Sequence, residues 1–175
     1  MKEHTHQPIA TLHNLLDYDI SKFFNAEVLL KNIIPEWINK ASSVKLKEVL
    51  QRYEGFIQQH AENLETFIEE EGINALSINN RVMKALIEET DEKVCNCSDI
   101  EVNDACLLAC IQAINHYKIS TYGTAAAFAK TLGMLKPAAV FHKAEVNEKH
   151  IDDRLSQLAK FEINNRAKSP IVLPS

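Results

Sequence analysis

Apolar residues along this chain recur in steps of three and four over long stretches, the spacing of one face of an α-helix. Ile9, Leu12, Leu16, Ile20, Phe23, Leu30 and Ile34 form the first ladder, in a helix predicted to begin near Pro8, because proline suits an early helical position. Pro35 is expected to kink or interrupt it, with a continuation through Trp37 and Ile38 that ends near Ala41-Ser42-Ser43. A second long helix is predicted from about Val44 to Glu70, with Leu46, Val49, Tyr53, Phe56, Leu64 and Phe67 on one face and Gly72 as its C-terminal stop. A shorter helix around Asn80 to Glu92 carries Val82, Met83, Leu86 and Ile87. The third long helix spans roughly Val102 to Leu132, with Leu108, Ile111, Tyr122, Ala125 and Ala129 on its ladder. Beyond Gly133 and Pro137 a fourth runs from about Ala138 to Ala167, where Phe141, Ala144, Ile151, Leu155 and Leu158 share a face. The tail Pro170-Ile171-Val172-Leu173-Pro174-Ser175 is short and apolar, a candidate to dock on the bundle.

Four long helices with short links near Ser42 and Gly133, and a long link after Gly72, imply two antiparallel hairpins joined by a crossover. The long link can traverse the bundle, so that the second and third long helices run parallel. The expected architecture is therefore all-α, a ferritin-like four-helix bundle with an extra short helix in its crossover. One domain is expected over 1–175, with a core at about 8–167 and a tail at 168–175.

Composition narrows the picture further. With only 4 Gly and 5 Pro in 175 residues, the chain lacks the turn residues that sandwiches and barrels need. Hydrophobic residues at 46% and charged residues at 25% are an ordinary globular balance. A net charge of −5 with interspersed signs gives no basic face for a phosphate backbone, so nucleic acid is not an expected partner. The polar start Met1-Lys2-Glu3-His4-Thr5-His6 lacks the apolar stretch of a signal peptide, and no run is apolar enough to span a membrane. The expectation is a cytoplasmic protein with no membrane partner and with reduced cysteines.

Cys95, Cys97, Cys106 and Cys110 do not have the paired short-loop spacing of a zinc knuckle. Cys106 and Cys110, four apart on a helix, read as small buried residues, with Cys95 and Cys97 in the preceding loop. Zinc binding through the four thiols is the outside reading.

The informative positions break the apolar ladders from within. Glu27 falls between Phe23 and Leu30, His60 between Phe56 and Leu64, and Asn115 and Lys118 between Ile111 and Tyr122. Glu148 falls between Ala144 and Ile151, with Asp152 one turn on. Each lies near the middle of its helix, so all could meet at one level of the core, where charges are costly unless paired or coordinated. Tyr53 and Tyr122 are expected beside them, each hydroxyl seeking a carboxylate. A dimetal bundle centre takes a Glu from each of two helices and Glu-x-x-His from each of the other two, and here Ile57 stands three before His60. An internal ion-pair network, or solvated residues on rotated helices, are the other readings.

Asp104-Ala-Cys-Leu-Leu-Ala-Cys-Ile-Gln-Ala-Ile-Asn-His-Tyr-Lys-Ile-Ser-Thr-Tyr-Gly123 resembles a central motif of the YciF-like (YciF/YciE) family of bacterial stress-associated, ferritin-like proteins, themselves largely of unknown function. Asn25-Ala26-Glu27, Pro35 with Lys40-Ala-Ser-Ser43, His60-x-Glu62-x-Leu64-Glu65 and Met83-Lys-Ala-Leu-Ile-Glu-Glu89 support it, over about Leu15 to Ala167. The resemblance implies the crossover bundle and a dimetal-type site, with Glu27, His60, Glu148 and Asp152 at matching positions. Asn115 and Lys118 stand where the family has Glu, Gly55 and Phe56 where it has a Glu pair, and Cys106 and Cys110 where it has Ala.

The leading expectation is a stress-type ferritin-like protein with a degenerate, metal-poor carboxylate centre, acting through binding or assembly as a homo-oligomer, with a dimer as the family-style choice. No cofactor is then required. The alternative is an oxidoreductase using iron or manganese on Glu27, His60, Glu148 and Asp152. Lys118 is expected to stand where a cation would otherwise sit, pairing with Glu27, Glu148 or Asp152, unless it snorkels to the surface.

Overall fold

The computed structural model describes residues 8–73 and 78–168. The expected docking of the tail at 170–175 lies outside these residues. Four long helices form the bundle: α1 (Leu12–Lys40), α2 (Val44–Glu70), α4 (Ile100–Thr131) and α5 (Leu135–Leu158), with α3 (Arg81–Cys95) in the crossover. A π-helical turn (Ala159–Ile163) and a last turn α6 (Asn164–Lys168) follow α5. No strand occurs among the described residues.

Cross-helix bonds fix the directions. Tyr122 on α4 reaches Glu27 on α1, whereas Asn103 at the start of α4 reaches the Lys40 carbonyl at the end of α1, so the two helices are antiparallel. Phe67 meets Phe141 and Lys45 meets Glu162, which makes α2 and α5 antiparallel as well. Helices α2 and α4 therefore run parallel on opposite corners, in the expected ferritin-like crossover topology.

The local chemistry explains most boundaries. α1 starts at Leu12 rather than near Pro8, because the Thr11 hydroxyl accepts the Asn14 N–H and caps the first turn. Ile9, placed on the predicted ladder, instead lies ahead of the helix and is 49% exposed. Ser43, Asn80 and Asp99 cap α2, α3 and α4 in the same way. Gly72 and Gly133 have φ of +63° and +74°, so both hairpin-side and crossover exits use the left-handed turn that glycine makes without strain.

Pro35 does not interrupt α1, which is helical through Lys40. Just beyond it the helix is anchored to the crossover: Trp37 is buried and its indole donates to Asp91 Oδ1 on α3 at 2.8 Å. The fourth long helix begins at Leu135 and leaves α-geometry after Leu158. The wide π turn inserts one residue into the repeat, which turns Ile163 into the core and leaves Glu162 outside to pair with Lys45 and Arg166.

Candidate functional site

Every long helix contributes polar side chains to one buried layer. Glu27 from α1, His60 from α2, Asn115 and Lys118 from α4 and Glu148 from α5 are all at most 1% exposed. The apolar ladders put them there. Leu30, Ile57, Leu64, Ile111, Ile114 and Ile151 are buried within a turn of these residues, and the same helical phase carries the polar residue inward.

Lys118 lies between the two carboxylates, with Nζ 2.6 Å from Glu148 Oε1 and 3.1 Å from Glu27 Oε2. Its ammonium also sits 4.7 Å from the centre of the Tyr53 ring. His60 Nδ1 is 3.3 Å from Glu148 Oε1 and 3.7 Å from Glu27 Oε1. The facing oxygens are bonded from the far sides. The Tyr53 hydroxyl donates to Glu148 Oε2 at 2.8 Å, the Asn115 amide donates to the same oxygen at 2.6 Å, and the Tyr122 hydroxyl donates to Glu27 Oε1 at 2.7 Å. Asn115 also donates to the Glu148 backbone carbonyl at 3.0 Å. The Lys118 ammonium thus pairs with Glu27 Oε2 and Glu148 Oε1 in a fully buried layer, where Coulomb attraction is far stronger than at the surface.

Ionisation follows from this arrangement. Burial pushes the Glu148 carboxyl up, but the Lys118 ammonium and His60 overcome it and hold Glu148 below its ordinary range. Burial works against a charged His60, yet its contacts with Glu148 and Glu27 raise it above the ordinary histidine value. Burial, together with the adjacent carboxylates, raises both Tyr53 and Tyr122 well above the usual tyrosine range. The shift of His60 toward its charged form, beside Lys118, works to offset the negative charge of the buried carboxylates.

Asp152, grouped with the candidate metal ligands by its spacing from Glu148, is not in the layer. A four-residue step swings it toward the outer edge of α4, where its Oδ1 lies 3.0 Å from His116 Nε2 and accepts from Gln112 at 3.0 Å, while Ile151 takes the core position. One participant escaped sequence reasoning: the Asn147 amide is 3.3 Å from His60 Nε2. It breaks no ladder, so only its adjacency to Glu148 hinted at it. The cysteines also differ from expectation, since Cys106 and Cys110 are only half-buried.

Glu27, His60 and Glu148 can each direct one donor atom into a common space, all within 4.8 Å of one another. Two carboxylates and one imidazole, with an ammonium in their midst, are not the donor set of a dimetal centre, which needs more anionic ligands to neutralise its cations. A positive side chain occupies the place where cation charge would be balanced.

Crossover topology and a buried polar layer shared by four helices define a ferritin-like bundle. Residues 11–168 match the family described as Domain of unknown function (DUF892), and the chain belongs to that family. Protein YciF of Escherichia coli (strain K12) is 28% identical over 160 residues, covering 91% of this chain and 96% of that protein. The crystal structure of the E. coli stress protein YciF superposes with a TM-score of 0.82 at 29% identity, over 92% of this chain and 100% of that one. YcfI of Rhodopseudomonas palustris superposes with a TM-score of 0.81 at 27% identity, over 86% of this chain and 96% of that one. The fold alone is shared with a two-domain protein of Anabaena variabilis that contains DJ-1/ThiJ/PfpI-like and ferritin-like domains, at 16% identity, TM-score 0.57, over 95% of this chain and 40% of that one. Among the described residues no helix is long and apolar enough to cross a membrane.

Proposed function

We propose that this chain is a stress-type, cytoplasmic ferritin-like protein whose centre is neutralised by its own Lys118 in place of metal, and that it acts through binding or assembly rather than redox catalysis. The observation that carries this reading is the position of Lys118 Nζ, 2.6 Å from Glu148 and 3.1 Å from Glu27 in a fully buried layer. Likeness to YcfI, described as a candidate structural protein, and to YciF, described as a stress protein, supports the same direction. Exposed Val44, Ile100 and Phe161 lie at the end of the bundle where α2 and α4 begin and α5 ends, and they offer an apolar face for self-association, with a homodimer as the expected form.

Metal analysis of protein purified without chelators, paired with sedimentation analysis, tests the reading. The expected result is a homo-oligomer with sub-stoichiometric iron and manganese whose melting temperature ignores chelators. Two transition-metal ions per chain would overturn it.

A second reading, an iron- or manganese-dependent oxidoreductase, is favoured by the convergence of Glu27, His60 and Glu148. It requires the Lys118 ammonium to leave the space that these donors enclose.

A further inference from the structure

The buried layer holds a primary amine against a carboxyl group from a different helix. Lys118 Nζ on α4 lies 2.6 Å from Glu148 Oε1 on α5, and both side chains are fully buried. A carbonyl-type carbon–oxygen bond is about 1.2 Å long, so the Glu148 carboxyl carbon is at most about 3.8 Å from the amine nitrogen. Packed helices fix the two groups in this contact, which removes most of the entropy cost of bringing reactants together.

The groups around the pair match the needs of acyl transfer. The Tyr53 hydroxyl and the Asn115 amide both donate to Glu148 Oε2, at 2.8 Å and 2.6 Å, and can hold negative charge that develops on that oxygen. Oε1 receives neither donor and faces Lys118 and His60, whose Nδ1 is 3.3 Å away. Glu27 Oε2, 3.1 Å from Lys118 Nζ, is placed to take a proton from the ammonium. Burial favours the uncharged product, because an amide replaces an ammonium and a carboxylate that the interior solvates poorly.

We propose that Lys118 and Glu148 condense in the folded chain to an intramolecular amide, a covalent tie between α4 and α5. The ion pair is the starting state, so this inference rests on the reading of Lys118 as the charge partner of the centre. Glu27 Oε2 takes one proton from Nζ. The nitrogen lone pair then attacks the Glu148 carboxyl carbon while protonated His60 gives a proton to Oε1. A second proton passes from the nitrogen to Oε1, the bond from carbon to Oε1 breaks, and Oε1 departs as water. Glu27 returns its proton to His60, whose Nδ1 is 3.7 Å from Glu27 Oε1. One C–N bond forms, one C–O bond breaks, and nothing is oxidised or reduced. The product keeps Glu27 and His60 as a pair of opposite charge beside a neutral amide.

The full chain, purified without chelators and kept folded, would be sampled over time by intact-mass spectrometry under denaturing conditions. The expected result is a growing species lighter by one water, whose digest contains a peptide pair joined through Lys118 and Glu148. In that species Lys118 resists amine acylation even after unfolding. Lys118→Met should abolish the water loss, and the nearly isosteric Glu27→Gln should slow it on the order of a hundredfold, with circular dichroism verifying the helices of each variant. The peptide map of the unaltered chain decides the matter independently of either variant. Full mass throughout, with Lys118 completely acylated once the chain is unfolded, overturns the proposal and leaves the ion-paired centre standing. Two transition-metal ions per chain overturn both. A water loss that maps to other residues, survives Lys118→Met, or proceeds as fast in Glu27→Gln also overturns the proposal.

Discussion

Lys118 Nζ lies 2.6 Å from Glu148 Oε1, and the two side chains approach from neighbouring antiparallel helices in a layer closed to water. Removing the ammonium strands two carboxylates in the interior. Lys118→Met is therefore expected to cost about 3–5 kcal/mol in urea denaturation, the scale for breaking a buried pair from one side. A cost below about 1 kcal/mol would instead match an ion pair open to solvent, and would refute the interior pairing.

The same substitution leaves Glu27, His60 and Glu148 facing an uncompensated space. Lys118→Met protein should consequently gain thermal stability on addition of Mn²⁺, because an ion that binds only the folded state stabilises it by mass action. The unaltered chain should not respond. Equal shifts in the two proteins would show that Lys118 does not exclude the ion.

Tyr53 and Tyr122 each give one hydrogen bond to a charged acceptor. Tyr53→Phe and Tyr122→Phe should each lower stability by about 1.5–3 kcal/mol, as bonds to ionised groups do. Both hydroxyls titrate higher in the folded chain than in the unfolded one, so the unfolded state ionises first as pH rises. Stability is thus intact below the ordinary tyrosine value near 10 and falls above it. Ultraviolet titration should find these tyrosinates appearing only with unfolding. Their ionisation while the helices persist would contradict the bonding.

His60 and Glu148 set the opposite edges of a pH window. His60 has a raised value in the folded state, so its contribution is complete below the ordinary histidine value of 6.5 and disappears as pH rises through the folded value. Glu148 is lowered, so its contribution is present above 4.5 and disappears as pH falls through the folded value. Unfolding free energy measured against pH should decline on both sides. His60→Gln should flatten the decline on the neutral side, and an unchanged slope in that variant would assign it elsewhere.

At Gly133, φ of +74° closes the α4–α5 turn. Gly133→Ala has open space for its methyl group, so the cost is backbone strain alone, about 1–2 kcal/mol. Thermal denaturation that shows no loss would mean the turn relaxes to another conformation.

Much of this architecture is legible in the sequence because burial imposes helical periodicity. Glu27, His60, Asn115, Lys118 and Glu148 were readable as a layer since each interrupts an apolar ladder in register. Asp152 misleads because a step of four from Glu148 turns the side chain by only about 40°, enough for Ile151 to take the core position and leave Asp152 at the half-buried edge beside His116. The π turn at Ala159–Ile163 leaves a five-residue step between Leu158 and Ile163, which a search for threes and fours passes over. The start of α1 is harder to read for a different reason: Pro8 and Ile9 satisfy helical preferences, but the Thr11 cap sets the first turn at Leu12 and leaves Ile9 exposed.

Asp104 of α4 accepts the backbone N–H groups of Ser42 at 2.7 Å and Ser43 at 2.8 Å, where the chain turns from α1 into α2. The first hairpin thus has its tip bonded by a side chain that belongs to the second, across more than sixty positions of sequence. Hydrogen exchange at those two amides becomes a gauge of assembly between the halves. While the hairpins are joined the protons are sheltered, and any excursion that parts them exposes the tip, even if every helix remains wound.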